Sequence, residues 1–180
     1  MSGWFARIVI LLILFLSGCA DTHHRLVVSI ADQRLVVLTD GRPIAVYRVS
    51  TSKYGVGDSQ GSYTTPLGQF CIRKKIGGGA PLGTVFKSRK PTGEILSPDA
   101  PGRDPIVTRI LWLDGLESQN RNAFRRFIYI HGTPQESLLG TPVSYGCIRM
   151  SSKDIVTLYE LVGQGARVDI IPERLVMPGT

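Results

Sequence analysis

Short aliphatic runs separated by polar turns dominate the chain from Leu26 onward. Runs rich in Val, Ile and Leu, bounded by Gly, Pro, Asn or Asp, are typical of strands. The runs are Leu26 to Ile30, Arg34 to Thr39, Pro43 to Ser50, Gly68 to Ile76, Ile110 to Leu113, Phe127 to Ile130 and Arg167 to Ile171. Asp40-Gly41, between the second and third runs, is a typical hairpin turn. The pattern predicts a domain built mainly from strands.

One segment near the C-terminus has a helical period instead. Its apolar positions recur at spacings of three and four: Ile155, Leu158, Tyr159 and Val162. Ser151 and Asp154 form a variant of the capping box, and Gly163 follows as a stop signal. The chain is therefore predicted to be mainly β with one or two short helices, the clearest of them over Ser151 to Val162.

Two long segments carry little periodicity. The polar stretch Thr51 to Thr65 is too long for a tight turn and is expected to border a functional site. The segment Lys87 to Arg109 contains four prolines and predicts an ordered but irregular insertion. Such an insertion either covers a cleft or is a plain surface loop.

The candidate residues for covalent chemistry lie between Ile128 and Met150. His131 ends a predicted strand, and Cys147 follows Gly146 in a glycine-containing loop. A cysteine reacts as its thiolate, and an imidazole joined to it by the fold serves as its base. Because His23 and His24 lie just behind the N-terminal leader, His131 is expected to be the only imidazole of the folded body.

A purely structural interpretation of these residues stays open at this point. Cysteine is among the most buried residue types, so His131 and Cys147 could both be inert residues at a strand end. Cys71, in a predicted strand, adds a second alternative, because a Cys71 to Cys147 disulfide would remove the nucleophile. We expect Cys71 to be a buried, inert thiol.

A family resemblance favours the catalytic interpretation. The pattern His-Gly, then Leu-Leu-Gly-Thr-Pro, then Ser-x-Gly-Cys-Ile-Arg-Met resembles the signature of the L,D-transpeptidase catalytic domain, the YkuD family. The segment Thr65 to Phe70 is similar to the family's Thr-Pro-x-Gly-x-Phe motif. The resemblance runs from about Leu26 to Ile171. It implies a β-sandwich or mixed-sheet domain over residues 26–172, followed by a tail over 173–180.

The resemblance also implies roles for individual residues. Cys147 corresponds to the family's nucleophile and His131 to its general base. Further oxyanion or substrate contacts are expected from the neighbouring motif residues, namely Gly132, Ser144, Tyr145, Gly146 and Arg149. Arg149 is expected either to bind a carboxylate of the substrate or to brace the loop. The family usually has His where this chain has Tyr145, so altered substrate contacts or altered pKa values are expected there.

The N-terminus has the pattern of an export signal. Arg7 precedes the nine-residue apolar run Ile8 to Leu16, which is too short to span a bilayer. Leu16-Ser17-Gly18-Cys19 resembles a bacterial lipobox, which implies a signal peptide over 1–18, a lipidated Cys19 and a linker over 19–25. Ordinary cleavage or an uncleaved anchor is the alternative. Ala20, after the cysteine, favours the outer membrane if the source is Gram-negative.

Net charge and composition limit the classes of partner that the protein is expected to bind. The net charge falls from +7 to +6 when residues 1–18 are removed, because Arg7 is their only charged residue. Export argues against nucleic acid as the partner of this basic protein. Most of its scattered basic residues are expected to form a solvated surface, and a carboxylate-rich cell wall is the expected partner of the rest. We expect no metal, because one histidine and two distant cysteines lack the spacing of a zinc site, and no cofactor. Nothing in the sequence specifies the oligomeric state.

The resemblance implies acyl transfer through a cysteine thioester on peptidoglycan stem peptides. The products would be 3-3 cross-links, exchanged D-amino acids or wall-attached proteins, and water as acceptor would instead give an L,D-carboxypeptidase. A hydrolase that cuts cross-links or releases wall-bound lipoprotein would use the same residues. A peptidoglycan-binding lipoprotein without activity is the third alternative.

Overall fold

A computed structural model describes residues 20–175 of the chain. The expected signal peptide, Cys19 and the last five residues lie outside this range. Ten strands and one α-helix occur within it. They are β1 (His24–Ser29), β2 (Arg34–Thr39), β3 (Arg42–Arg48), β4 (Gly68–Ile76), β5 (Thr84–Lys87), β6 (Lys90–Ile95), β7 (Ile106–Gly115), β8 (Tyr129–Gly132), β9 (Ile148–Met150), α1 (Ser152–Leu161) and β10 (Arg167–Ile171). Single 3₁₀ turns lie at Ser118–Asn120 and Glu136–Leu138.

All ten strands belong to one mixed sheet. Its order is β3-β2-β1-β10-β4-β7-β5-β6, and β8 pairs with both β7 and β9. The β1/β10 and β8/β9 pairs are parallel, whereas the other pairs are antiparallel. Ser50, just after β3, exchanges backbone hydrogen bonds with Arg149 of β9, so the path of paired strands returns to its start. The mainly β, mixed-sheet fold expected from the sequence is confirmed.

The main core is enclosed by this sheet and by α1. Ile130 of β8 and Ile148 of β9 are opposite each other in the register and fully buried. Ile155 and Leu158 of α1 pack into the same core. Because successive side chains of a strand point to opposite faces, the neighbours of Ile130 and Ile148 face the other side of the sheet. That second face carries the candidate catalytic residues.

The helix α1 is fixed at both ends by side chains. The Ser151 hydroxyl accepts a hydrogen bond from the Asp154 amide (3.1 Å), as the capping pattern predicted. At the other end, the Lys75 ammonium donates to the carbonyls of Tyr159 (2.5 Å) and Val162 (2.6 Å). Since α1 follows β9 with one residue between them, it anchors the strand that directly follows the cysteine.

The expectation of an irregular segment over residues 87–109 was wrong. It contains the hairpin β5–β6 and the first residues of β7. Ser88 and Arg89 form the two-residue turn with φ of 49° and 67°, a left-handed backbone usually supplied by Asn or Gly. Pro91 lies on β6, an exposed strand at the end of the sheet, where a missing N–H is tolerated. Neither the left-handed turn nor the exposed strand with its proline produces a recognisable strand pattern in the sequence.

The expectation of a single imidazole in the folded body was also wrong. β1 begins at His24, which is half-buried, and its Nδ1 lies 2.9 Å from a carboxylate oxygen of Asp21. The Asp21 carboxylate also accepts from the Gly163 amide (2.6 Å) beyond α1.

None of the helices in residues 20–175 is long and apolar enough to cross a bilayer.

Candidate active site

Cys147 lies directly before β9, at the end of a tight turn that a buried serine holds. The Ser144 hydroxyl donates to the Cys147 carbonyl (2.6 Å) and accepts from the Gly146 amide (3.2 Å). Gly146 has φ of 119°, and a Cβ there would lie 3.1 Å from the Thr64 carbonyl. The turn therefore requires glycine and presents a half-buried Cys147 in one defined orientation.

His131 projects from β8 on the same face of the sheet as Cys147. The register pairs His131 with Arg149, two residues after Cys147 on the neighbouring parallel strand. Regular strand spacings put the Cα atoms of His131 and Cys147 about 8 Å apart. A His and a Cys side chain can span that separation, so the sheet brings the predicted base and nucleophile into one site.

The tautomer of His131 follows from its hydrogen bond. Its Nδ1 lies 2.8 Å from the carbonyl oxygen of Gly132, which only accepts, so Nδ1 carries the proton. The unprotonated Nε2 is then the basic nitrogen. Burial, with a smaller contribution from the positive charge of Arg149, lowers the pKa of His131 to about 4 against the opposing effects of the Gly132 carbonyl and Asp104. The imidazole is neutral at pH 7.

The thiol of Cys147 is also neutral at rest. It donates to the Phe127 carbonyl, 3.3 Å from Sγ. Burial raises the pKa of Cys147 to about 11, although a Tyr129 backbone hydrogen bond and the charges of Arg149 and Arg126 oppose the increase. The site therefore holds a thiol and a neutral imidazole rather than a thiolate and an imidazolium.

Arg149 is engaged by the protein itself. Its guanidinium lies 2.7 Å from the carboxylate of Asp104, and both side chains are almost buried. Asp104 also accepts from the Thr133 hydroxyl (2.5 Å), just beyond β8. Of the two roles expected for Arg149, this geometry favours bracing: the ion pair ties the segment before β7 to the strands that carry His131 and Cys147.

The polar stretch 51–65 borders the site, as expected. Arg126 fixes it through a buried ion pair with Asp58 (2.9 Å) and a hydrogen bond to the Thr64 carbonyl (2.7 Å). Arg126 is therefore engaged within the protein. A cavity of about 180 Å³ opens beside the nucleophile, and its lining residues are Gln60, Gly61, Tyr63, Arg126, Phe127, Ile128, Tyr145 and Cys147.

Tyr145 and Gly132 occupy very different environments. Tyr145 is 55% exposed, and its ring packs against Tyr54 and Tyr63 with centroids 5.7 and 6.0 Å away. It lies at the cavity rim, where a substrate contact is sterically open. Gly132 is buried, and a Cβ there would lie 2.6 Å from the Val107 carbonyl. Gly132 therefore allows β8 to lie close to β7.

Comparison with known proteins agrees with this geometry. The sequence profile of the family described as the L,D-transpeptidase catalytic domain, YkuD, matches residues 23–170. This chain belongs to the L,D-transpeptidase family. "Putative L,D-transpeptidase YqjB" of Bacillus subtilis (strain 168) is 31% identical over 149 residues, 82% of this chain and 71% of that protein. "Probable L,D-transpeptidase YbiS" of Escherichia coli (strain K12) is 29% identical over 84% of this chain and 45% of its own length.

Solved L,D-transpeptidases share the fold. An L,D-transpeptidase from Mycobacterium smegmatis superposes with a TM-score of 0.55 at 19% identity, covering 83% of this chain and 58% of that one. LdtMt1 in complex with imipenem gives a TM-score of 0.53, also at 19% identity, covering 83% of this chain and 59% of the other. This L,D-transpeptidase chain thus spans about three fifths of these solved chains.

The family motif predicted the two central residues of the candidate site, His131 and Cys147, but not the side chains that hold that site. Asp104 and Arg126 were missed because their partners are far away in sequence and no motif marks them. Within residues 20–175, Cys71 and Cys147 are both free thiols, and Cys71 is half-buried in β4 rather than buried as expected. No three His, Cys, Asp or Glu side chains in that range cluster as metal ligands.

Proposed function

We propose that this protein is a peptidoglycan L,D-transpeptidase with Cys147 as nucleophile and His131 as general base. One observation carries the proposal: His131 lies on β8 and Cys147 directly precedes β9, the parallel neighbour of β8, and the Gly132 carbonyl holds the proton of His131 at Nδ1. Nε2 is thereby left to accept the thiol proton.

In the first half-reaction, Nε2 of His131 takes the proton of Cys147 as Sγ attacks the carbonyl carbon of the third stem residue. The carbonyl oxygen becomes an oxyanion, for which the amides of Tyr145 and Cys147 are proposed donors because Ser144 already occupies the Gly146 amide. As the tetrahedral intermediate collapses, the C–N bond breaks and His131 returns the proton to the departing D-alanine amine. A thioester on Cys147 remains.

The second half-reaction reverses these roles. An acceptor amine attacks the thioester carbon, His131 removes a proton from the amine, and the C–S bond breaks to regenerate the Cys147 thiol. A neighbouring diaminopimelate amine gives a 3-3 cross-link, whereas a free D-amino acid or a protein lysine gives exchange or attachment. Water in the same position gives carboxypeptidase activity.

The location of the protein is a further part of the proposal. The leader and the Leu-Ser-Gly-Cys sequence support export and lipidation at Cys19, with the domain facing the cell wall. Ala20 favours the outer membrane if the source is Gram-negative. A shift in the mass of the mature N-terminal peptide by the attached acyl chains is the direct test.

The activity is tested with the full-length chain in detergent and a purified disaccharide-tetrapeptide, alone and with a free D-amino acid, by mass spectrometry. Wild type should release D-alanine and form dimer or exchanged product, whereas Cys147→Ala should release none. Cys71→Ala is the matched control, since it removes the other thiol of the described chain and should retain activity. Full activity of Cys147→Ala would refute the proposal.

A failed reaction needs a second measurement. Because LdtMt1 was solved in complex with imipenem, we use imipenem to probe the thiol, with an adduct expected on Cys147 and absent from Cys147→Ala. A folded, reduced wild type that forms no adduct and releases no D-alanine would also refute the proposal. Release of D-alanine without transfer would assign carboxypeptidase activity.

A further inference from the structure

Two arginines lie near the nucleophile, and both are already neutralised. Arg149 pairs with Asp104, and Arg126 pairs with Asp58; all four side chains are nearly buried. A carboxylate entering the site would have to break one of these ion pairs to bind either arginine, and breaking a buried pair is strongly unfavourable. A carboxylate-bearing ligand therefore needs a different cation.

Arg89, at the tip of the β5–β6 hairpin, is such a cation. Its guanidinium carbon lies 5.0 Å from the ring centre of Trp112 and 4.9 Å from that of Phe127. Its Nη1 makes a long hydrogen bond, 3.4 Å, to the Tyr129 hydroxyl. No carboxylate of residues 20–175 forms an ion pair with it. A planar guanidinium held over aromatic rings keeps most of its N–H groups available for a planar anion.

The position of Arg89 is linked to the nucleophile through those same residues. The Phe127 carbonyl accepts from Cys147 Sγ. Phe127 also lines the cavity beside Cys147. Cys147 packs against the aromatic cluster that includes Trp112 and Tyr129, the two residues that Arg89 also contacts.

The hairpin tip has features that stability does not explain. Ser88 and Arg89 both adopt left-handed φ angles without a glycine, which costs conformational energy. Lys87 and Lys90 are direct cross-strand partners, and like charges in that position repel. Three cations, Lys87, Arg89 and Lys90, thus crowd this four-residue tip.

We propose that Arg89 binds the free carboxylate of the residue that leaves in acyl transfer, and so selects donors that end one residue after the scissile bond. The inference rests on the proposed function, in which that residue is D-alanine. One residue spans about 3.5 Å, and a charge-assisted hydrogen bond adds about 2.8 Å. The leaving carboxylate therefore needs a cation on the aromatic cluster against which Cys147 packs, and Arg89 is one.

The test compares a tetrapeptide donor with its C-terminal amide, using the full-length chain and the rate of Cys147 acylation measured by intact mass. Wild type should favour the acid over the amide by about 10- to 100-fold in kcat/KM. Arg89→Met should reduce the rate with the acid by that factor and leave the rate with the amide unchanged. Arg89→Lys, which keeps the charge but not the planar fork, should fall between them.

The matched control is Arg42→Met, the same substitution at an exposed arginine at the start of β3, which should preserve the preference for the acid. Equal slowing of acid and amide by Arg89→Met would mean a structural role and overturn the proposal. A preference that persists in Arg89→Met but disappears in Lys53→Met would assign the carboxylate to Lys53, beside Tyr145, and would overturn it as well.

A separate assay distinguishes failure of this inference from failure of the proposed function. Cys147 is alkylated with anionic iodoacetate or neutral iodoacetamide, and labelling is read on the Cys147 peptide. The ratio of the iodoacetate rate to the iodoacetamide rate should fall severalfold in Arg89→Met and stay constant in Arg42→Met, whether or not the protein transfers acyl groups. An unchanged ratio in Arg89→Met would refute the anion site itself.

Discussion

The protonation state of Cys147 makes alkylation kinetics a direct test of the site. With a pKa of about 11, about one thiol in 10⁴ is ionised at pH 7, whereas an unperturbed thiol with a pKa of about 8.5 is ionised to about 3%. The thiolate is therefore about 300-fold scarcer. A more basic thiolate is intrinsically more nucleophilic, by about tenfold over this interval. The net expectation is labelling about 30-fold slower than in the unfolded chain.

The assay is iodoacetamide labelling between pH 6 and pH 10, read on the Cys147 peptide, with the urea-unfolded chain as the reference. The rate should increase about tenfold per pH unit throughout this range, because the thiol of the folded protein does not begin to saturate below its pKa. In the reference, the increase should level off above about pH 8.5. His131→Gln should change the labelling rate little, because the imidazole does not hold the thiol proton at rest, yet it should abolish acyl transfer.

A plateau between pH 6 and pH 8, with labelling faster than in the unfolded chain, would refute this reasoning. It would mean that a thiolate and imidazolium pair is already formed in the free protein. In that case His131→Gln would slow labelling strongly at pH 7. The variant thus separates a base that acts during attack from one that has already taken the proton.

Two further predictions concern stability. In the unfolded chain, residue His131 binds a proton near pH 6.5, whereas in the folded protein it is buried and binds one only near pH 4. Acid therefore favours unfolding, and about 3 kcal/mol of the free energy of unfolding should be lost between these pH values. Urea titrations should show that loss in wild type and not in His131→Gln, and an equal loss in both would contradict the assignment. Asp104→Asn should destabilise the protein by about 3 kcal/mol or more, since it leaves the Arg149 charge buried without its partner. Asp40→Asn, at an exposed turn, is its control and should have little effect; similar midpoints for the two variants would contradict the buried-pair argument.

The sequence specified most strands well where turns bounded an apolar run. β2, β4 and β10 have the predicted limits because a turn residue follows each apolar run, namely Asp40, Gly77 and Pro172. The prediction failed for β6, where all six residues are exposed and no buried face leaves a pattern. Strand signals depend on burial, so an exposed strand formed by a tight turn and its partner is not visible in a local pattern.

The residues of the candidate site also fall into those that a local pattern reveals and those that it does not. The residues of the nucleophile turn are adjacent in sequence, so a motif reveals them. The ion pairs that hold the site join Arg149 to Asp104 and Arg126 to Asp58, across 45 and 68 positions. Such pairs depend on the sheet order, which sets which loops meet, and no local pattern encodes it.

The neutral thiol and imidazole determine where catalytic stabilisation has to come from. The pKa values of Cys147 and His131 differ by about 7, so moving the proton from sulfur to nitrogen before attack would cost on the order of 9 kcal/mol. An isolated thiolate is therefore scarcely populated, and in the proposed reaction proton transfer accompanies formation of the C–S bond. The negative charge then passes directly to the substrate oxygen. Donors aimed at that oxygen stabilise the charge where it develops, which makes the turn that Ser144 holds as important to the reaction as the base on β8.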